Sequence, residues 1–241
     1  MVIKTVVYTA IIGQYDKLNI PTHVTPEFDY ICYTDNKDLK SNFWQIRLIP
    51  KNDLLDNTRI ARELKIRPHL LFPEYEISIW IDGNVEIRKD IKELIFRHTE
   101  ELRQNLITFG HPLRDCIYEE ALKCIEIKKD SEEIITKQMD KYRNLGYPIN
   151  HGLVESNVII RRHNAKEIIK FSESWWLEVK NFSKRDQLSF NYVSWNENVT
   201  YHLLEGNTRG SNDYFFASLN HQKPPLKYRI INKIKRILRY G

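Results

Sequence analysis

The chain has 241 residues, 41% of them hydrophobic and 12% aromatic, with 8 Gly and 9 Pro. It is long enough to bury a sizeable core and far from the composition of disordered, collagen-like or linker-dominated chains. Its net charge of +5 gathers in a tail, where seven basic residues (Lys223, Lys227, Arg229, Lys233, Lys235, Arg236 and Arg239) meet no acidic one, so the near-neutral body argues against nucleic acid as a partner.

No apolar run approaches the length that crosses a bilayer, and the start Met1-Val2-Ile3-Lys4 lacks a secretory pattern, so a cytoplasmic location is expected. Cys32, Cys116 and Cys124 show no metal-ligand spacing and suit reduced thiols better than a disulfide framework, since an odd number leaves one over.

In chain order, short runs rich in Val, Ile, Tyr and Trp predict strands at Val6 to Ile12, Tyr30 to Tyr33 and Trp44 to Ile49. Asp56 or Asn57 then caps a helix running to about Leu71, with Pro73 as its stop. A strand at Ile77 to Ile81 is followed by a helix from Asp90 towards Leu102, a strand at Leu106 to Phe109, and helices from Asp115 towards Lys128 and from Ser131 towards Leu145. A strand at Asn157 to Ile160 and a helix from Asn164 to about Asn181 complete the pattern, with another helix start near Asp186. This alternation predicts an α/β domain over residues 1–222, with a mainly parallel sheet flanked by helices. Residues 223–241 form a separate basic segment in which Ile230, Ile231, Ile234, Ile237 and Leu238 recur at helical spacing. Such a helix either docks on the body or lies on an anionic membrane surface through residues 226–241, which would make the protein peripheral at the inner face of the membrane.

The chemistry concentrates where Ile77-Ser78-Ile79-Trp80-Ile81 runs into Asp82-Gly83-Asn84. Ligands of parallel sheets bind at the carboxyl ends of strands, and a carboxylate followed by a glycine and an amide suits Mg²⁺ or Mn²⁺ carrying a diphosphate; a plain β-turn is the other reading. On the preceding helix Arg59, Arg62 and His69 share one arc, while Ile60, Leu64 and Leu71 occupy another that would face the core. The cationic arc is either a solvated face or a hold on phosphate or sugar oxygens. Later, Asp186 and Gln187 stand at a helix start, and Glu155, Ser156 and Asn157 abut a strand.

Taken together these segments resemble nucleotide-sugar glycosyltransferases of the GT-A fold. More specifically, they resemble a glycosyltransferase family long catalogued as a domain of unknown function, with plant cell-wall and mucilage members. The marks are Tyr8-Thr9-Ala10-Ile11-Ile12-Gly13-Gln14-Tyr15-Asp16, Trp80-Ile81-Asp82-Gly83, Asp115-Cys116-Ile117-Tyr118-Glu119-Glu120 and Arg185-Asp186-Gln187-Leu188-Ser189-Phe190. The layout is also similar to that of the retaining enzymes related to glycogenin. The resemblance implies that Thr9, Ile11, Gly13 and Tyr15 form a nucleotide loop, with Asp35 at the base. It puts Arg59 or Arg62 at the donor, Asp82, Gly83 and Asn84 at the metal and diphosphate, Asn157 and Asp186 at the sugar, and Gln187 at the reacting face. His221 and Lys223 belong to a late loop, His221 as a metal ligand.

One position departs from the family pattern. Asn84 stands where a second carboxylate is usual, and Glu86 substitutes only if the strand continues. The activity expected from the resemblance is transfer of a glycosyl group from a nucleoside diphosphate sugar, taken as a UDP-sugar, to a saccharide or glycolipid hydroxyl in surface polysaccharide synthesis. The configuration would be retained if the glycogenin-like layout carries over. Metal at Asp82 with Arg59, Arg62 or Lys223 would stabilise the leaving diphosphate, while Asp186, Gln187 or Glu155 would stabilise the oxocarbenium-like centre or position the acceptor. A metal-dependent hydrolase in the same fold and a non-catalytic nucleotide- or carbohydrate-binding module are the alternatives.

Overall fold

The computed structural model describes residues 3–13, 17–50, 52 and 54–218; the basic segment 223–241 lies outside them. Strands β1 (Thr5–Ile11), β2 (Asp29–Thr34) and β3 (Gln45–Leu48) are followed by helices α1 (Asn57–Ile66) and α2 (Pro68–Leu71). Next come β4 (Ile77–Ile81), β5 (Val85–Ile87), α3 (Lys92–Phe96) with a π-helical turn at Arg97–Glu101, and β6 (Leu106–Gly110). Helices α4 (Ile117–Glu126) and α5 (Glu132–Asn144), strand β7 (Val154–Arg161), helices α6 (Lys166–Asn181) and α7 (Gln187–Asn196), and strands β8 (His202–Leu204) and β9 (Phe215–Ala217) complete the order.

The main sheet runs β3-β2-β1-β4-β7-β6-β8. Its pairs are parallel except those of β7, which runs against both β4 and β6. The expected mainly parallel sheet flanked by helices is therefore present, with one reversed strand. That reversal matters: it brings the amino end of β7 to the edge where β1 and β4 end, at the point where the strand order turns about β1. Alternation along the strands supplies two cores. Val6, Tyr8, Trp80 and Ile159 join residues of α4 to α7 on one face, and Val7, Ile11, Ile79 and Ile160 join β5, α3 and β9 on the other. A small antiparallel sheet of β5 and β9 covers this second face.

The helix expected from Asp56 to Leu71 is broken. Asp56 caps it as anticipated, accepting from the backbone amides of Thr58 and Arg59, but Pro68 lacks an amide and disfavours helical geometry in Arg67. Arg67 turns to φ −112° and ψ 51°, and α2 begins anew with Pro68 in its first turn. Buried Arg161 then takes the buried carboxyl end of α1, donating to the carbonyls of Lys65 and Ile66 and to the Tyr8 hydroxyl, a favourable place for a cation. Strand β7 is longer than its apolar run because Glu155, Ser156 and Asn157 belong to it. Opposite β6 the register jumps, with Thr108 facing Ile159 and Phe109 facing Glu155, so Ser156, Asn157 and Val158 bulge out of that ladder.

All three cysteines are buried and free, and burial pushes the Cys32 thiol up to about 12, in keeping with inert reduced thiols. Among the described residues no helix is long and apolar enough to cross a membrane.

Candidate active site

A buried charge cluster lies beneath the carboxyl end of β4. Helical side chains lean towards the amino terminus of their helix, and this carries the Lys65 ammonium from the last turn of α1 up towards that edge. Its Nζ lies 2.7 Å from Asp186 Oδ2, 3.2 Å from Ser156 Oγ and 3.4 Å from Asp82 Oδ1. Arg62, three residues earlier on the same helical face, places its Nε 2.9 Å from Asp186 Oδ1. Ser156 donates to Asp186 Oδ2 at 2.8 Å, and Trp80 Nε1 donates to Asp82 Oδ1 at 2.7 Å. Burial alone would raise the Asp186 carboxyl, but Arg62, Lys65 and Arg185 outweigh it and hold it well below the usual carboxylate range.

Two carboxylates and two cations thus neutralise one another. Lys65 is fully buried and the Asp186 side chain is 2% exposed, whereas that of Asp82 is 26% exposed. Asp82 is therefore the most exposed member of the cluster. Asp186, expected at the sugar, is buried and engaged by Lys65, Arg62 and Ser156. It also occupies the cap position of α7 without making a side-chain cap, because its oxygens point to the cations.

The cationic arc expected on one helix is divided. Arg62 faces the cluster, but Arg59 donates to Asp56 and to the carbonyls of Val179 and Phe182, tying α1 to the end of α6. His69 lies beyond the break and meets Glu173 of α6, as Arg67 does. Of the second arc, Leu64 and Leu71 pack against the core.

At the end of β1, Gly13 adopts φ +64° and donates its amide to Asp35 at 3.0 Å, joining the loops after β1 and β2. A Cβ at Gly13 would lie 2.0 Å from Asn57 Nδ2 and push that side chain aside, and the positive φ itself favours glycine here. Thr9 and Ile11 are 1% and 5% exposed; only their backbone can line a nucleotide loop. Tyr15 lies outside the described residues, as do His221 and Lys223.

A second polar group flanks Asp82. Asp82 N–H donates to the Asn157 carbonyl at 2.8 Å, and Asn157 Nδ2 donates to Thr208 Oγ1 at 2.7 Å, while its buried Oδ1 has no hydrogen-bond partner. Buried Glu155 accepts from Arg209 Nε and Nη2 at 3.1 and 2.7 Å and from Thr208. Gln187 Nε2 donates to the Val154 carbonyl at 3.2 Å, and its Oε1 accepts from Arg185. The sequence reading missed Lys65 and Arg209. Lys65 falls outside the Arg59–Arg62–His69 arc, and Arg209 sits in a loop without a motif.

The turn itself is tight, with Val85 N–H donating to the Asp82 carbonyl. The strand does not continue through it: Glu86 belongs to β5, opposite Phe216, and pairs with Arg88. Its expected substitution for the missing carboxylate thus loses its condition. Asn84 is held by reciprocal bonds with Ser218: its Nδ2 donates to the Ser218 carbonyl at 2.8 Å, and its backbone carbonyl accepts from the Ser218 N–H at 3.0 Å. Among the described residues no three His, Cys, Asp or Glu side chains gather to cage a metal. One partly exposed carboxylate beside an amide fits a divalent cation only when the donor's phosphates supply further ligands.

The described geometry is thus an acidic strand end with buried cations behind it, flanked by Thr208 and Arg209. The chain is 28% identical over 162 residues to the probable hexosyltransferase MUCI70 of Arabidopsis thaliana, covering 64% of this chain and 28% of that protein. It is 26% identical over 222 residues to the alkaline ceramidase TOD1 of the same plant, covering 78% and 47%. It spans less than half the length of either. Among solved structures it is similar to the apo form of mouse xyloside xylosyltransferase 1, at 10% identity over 84% of each chain with a TM-score of 0.47. The model of the TOD1/MUCI70, glycosyltransferase-like domain matches residues 2–205, a stretch that runs from β1 through the Asp82 turn and the Asp186–Gln187 pair, and the chain belongs to that family.

Proposed function

We propose that this domain transfers a glycosyl group from a nucleoside diphosphate sugar, taken as a UDP-sugar, to a hydroxyl of a saccharide or glycolipid in surface polysaccharide synthesis. The observation that carries the reading is Asp82, partly exposed at the end of β4 and backed by the neutralised Lys65–Asp186–Arg62 cluster. The backbone of the loop closed by Gly13 and Asp35 receives the nucleotide. Asp82 and the amide oxygen of Asn84 would hold a divalent cation, which would supply Lewis-acid stabilisation of the leaving diphosphate. Arg209, half-exposed and aimed by buried Glu155, adds positive charge beside the same edge. Asn157, held by Thr208 beside Asp82, flanks the sugar, and Gln187 lines the reacting face. Lys65 and Arg62 fix the carboxylates before substrate arrives, which limits reorganisation during the reaction. The basic segment 223–241 extends the proposal to a membrane-bound acceptor at an anionic surface.

The test is thermal stability against UDP, GDP, CDP, TDP and CMP, each with and without Mn²⁺. Saturation at about 100 times Kd stabilises by about 2.7 kcal/mol, or roughly 5–11 °C in a chain of this size. UDP should raise the Tm only with Mn²⁺, and Asp82→Ala should lose both the shift and transfer while remaining folded. A folded Asp82→Ala that transfers at the wild-type rate overturns the reading. The name of the relative TOD1, an alkaline ceramidase, favours a second reading as a hydrolase. Product analysis separates them: a glycoside for the transferase, a free sugar or a cleaved lipid for the hydrolase.

A further inference from the structure

A cavity of about 290 Å³ opens beside the far end of α7, lined by His151, Asn191, Trp195, Asn198, Thr200 and Tyr201 among others. Nothing in the site described above uses it. Trp195 is 37% exposed, which is unusual for so large an aromatic surface, and it is held rigid from behind. Tyr147 meets its ring edge to face at 5.5 Å, and Tyr192 packs at 6.2 Å.

The polar groups are equally fixed. Buried Asn191 accepts from the Val154 amide at 3.1 Å and donates to the Tyr201 hydroxyl at 2.7 Å. The Tyr201 oxygen is thereby an acceptor, and its own proton is left for a ligand oxygen. Gly152, at φ +86°, lets the neighbouring loop close over this pair: a Cβ there would come within 3.0 Å of the Tyr201 hydroxyl and 3.2 Å of Asn191 Nδ2.

The lining contains no Asp, Glu, Lys or Arg. A phosphate or carboxylate would find no lysine or arginine and only the His151 imidazole, a metal ion no carboxylate, and an acyl chain would cover amides and hydroxyls at a cost. A flat, exposed aromatic face beside fixed amide and hydroxyl groups matches a neutral sugar ring, which offers apolar C–H faces and equatorial hydroxyls. The volume lies at the lower end of the roughly 300–1,000 Å³ range of small-molecule pockets, room for a single ring.

We infer that this pocket is a glycan subsite holding a unit of a neutral oligosaccharide acceptor remote from the reacting hydroxyl. The inference rests on the transferase reading for the word acceptor, and on the pocket alone for the sugar. Its link to the reaction centre is direct. Asn191 follows Gln187 by one helical turn, and both side chains bind the two sides of Val154, through its amide and its carbonyl. Trp195 lies eight residues beyond Gln187, about 12 Å along α7 at 1.5 Å per residue, so the pocket takes a distal unit of an extended chain.

The experiment uses the full chain and a probe panel of neutral xylo-, gluco-, galacto- and manno-oligosaccharides, with binding read by saturation-transfer NMR and calorimetry. Trp195→Ala and Tyr201→Phe are compared with wild type. At least one oligosaccharide should bind wild type, with binding about tenfold weaker in Trp195→Ala, the size of one lost aromatic contact. In transfer assays the same variant should raise KM for that oligosaccharide and leave kcat and the nucleotide-dependent rise in Tm unchanged. Equal affinity in Trp195→Ala and wild type overturns the inference, as does a wild-type protein that binds none of the panel yet is stabilised by UDP. If Trp195→Ala loses glycan binding in a protein that no nucleotide stabilises, the pocket stands and the transferase reading falls.

Discussion

Replacing Lys65 by methionine tests the buried cluster most directly. The substitution keeps the length of the side chain and removes the ammonium that lies 2.7 Å from Asp186, 3.2 Å from Ser156 and 3.4 Å from Asp82. Asp186 stays buried with Arg62, at 2.9 Å, as its remaining close cation. Breaking a buried pair from one side costs about 3–5 kcal/mol; retention of Arg62 places the expected loss at the low end, about 3 kcal/mol. In a chain of this length that is a fall in Tm of roughly 6–12 °C. Lys65→Met combined with Asp186→Asn removes the uncompensated charge and should recover about 2 kcal/mol of that loss, a coupling that a double-mutant cycle measures.

The pH dependence of the same variant has a definite sign. The Asp186 carboxyl is held below its unfolded value, so its contribution to stability is fully present above about pH 4 and disappears as pH falls through the folded value. Without Lys65 that folded value moves up towards the unfolded one, so the stability lost below about pH 4 should be smaller than in wild type. Thermal unfolding by circular dichroism from pH 3 to 7 reads both effects. A Lys65→Met Tm within about 2 °C of wild type, or a double variant no more stable than the single one, refutes the cluster as described.

Arg59→Ala should cost about 2 kcal/mol through lost bonds to the ends of α1 and α6 while leaving the UDP-dependent shift intact, as a thermal melt will show; a lost shift at unchanged stability would return Arg59 to the donor site. His163, whose Nε2 lies 2.8 Å from the Phe72 carbonyl, is lowered by burial to about 4. Its folded value is below the unfolded one near 6.5, so the unfolded state takes up the proton first and stability falls between about pH 6.5 and 4, by up to about 3 kcal/mol. His163→Gln should flatten that slope in urea titrations, and an unchanged slope would contradict the assignment. Gly13→Ala should destabilise by about 1–2 kcal/mol from its positive φ alone and weaken UDP binding further by displacing Asn57; wild-type stability and affinity together would refute the constraint at this loop.

The amino-acid sequence by itself determined which runs form the main strands, that they alternate with helices in an α/β domain, and that Asp56 caps a helix. These are local properties: apolar periodicity, β-branched content and a side chain able to reach its own next amides. The strand end at Asp82 was legible for the same reason, because an apolar run ending in Asp-Gly-Asn leaves polar groups at one edge. The reversal of β7 was not, since periodicity carries no direction, and that reversal alone brings Glu155, Ser156 and Asn157 to Asp82. Nor could spacing along one helix decide that Arg59 ties down α6, that Asp186 is neutralised rather than exposed, or that Lys65 bridges Asp82 and Asp186. Those pairings join residues 17 to more than 120 positions apart, and only the packing of α1 and α7 against the sheet brings their charges within bonding distance.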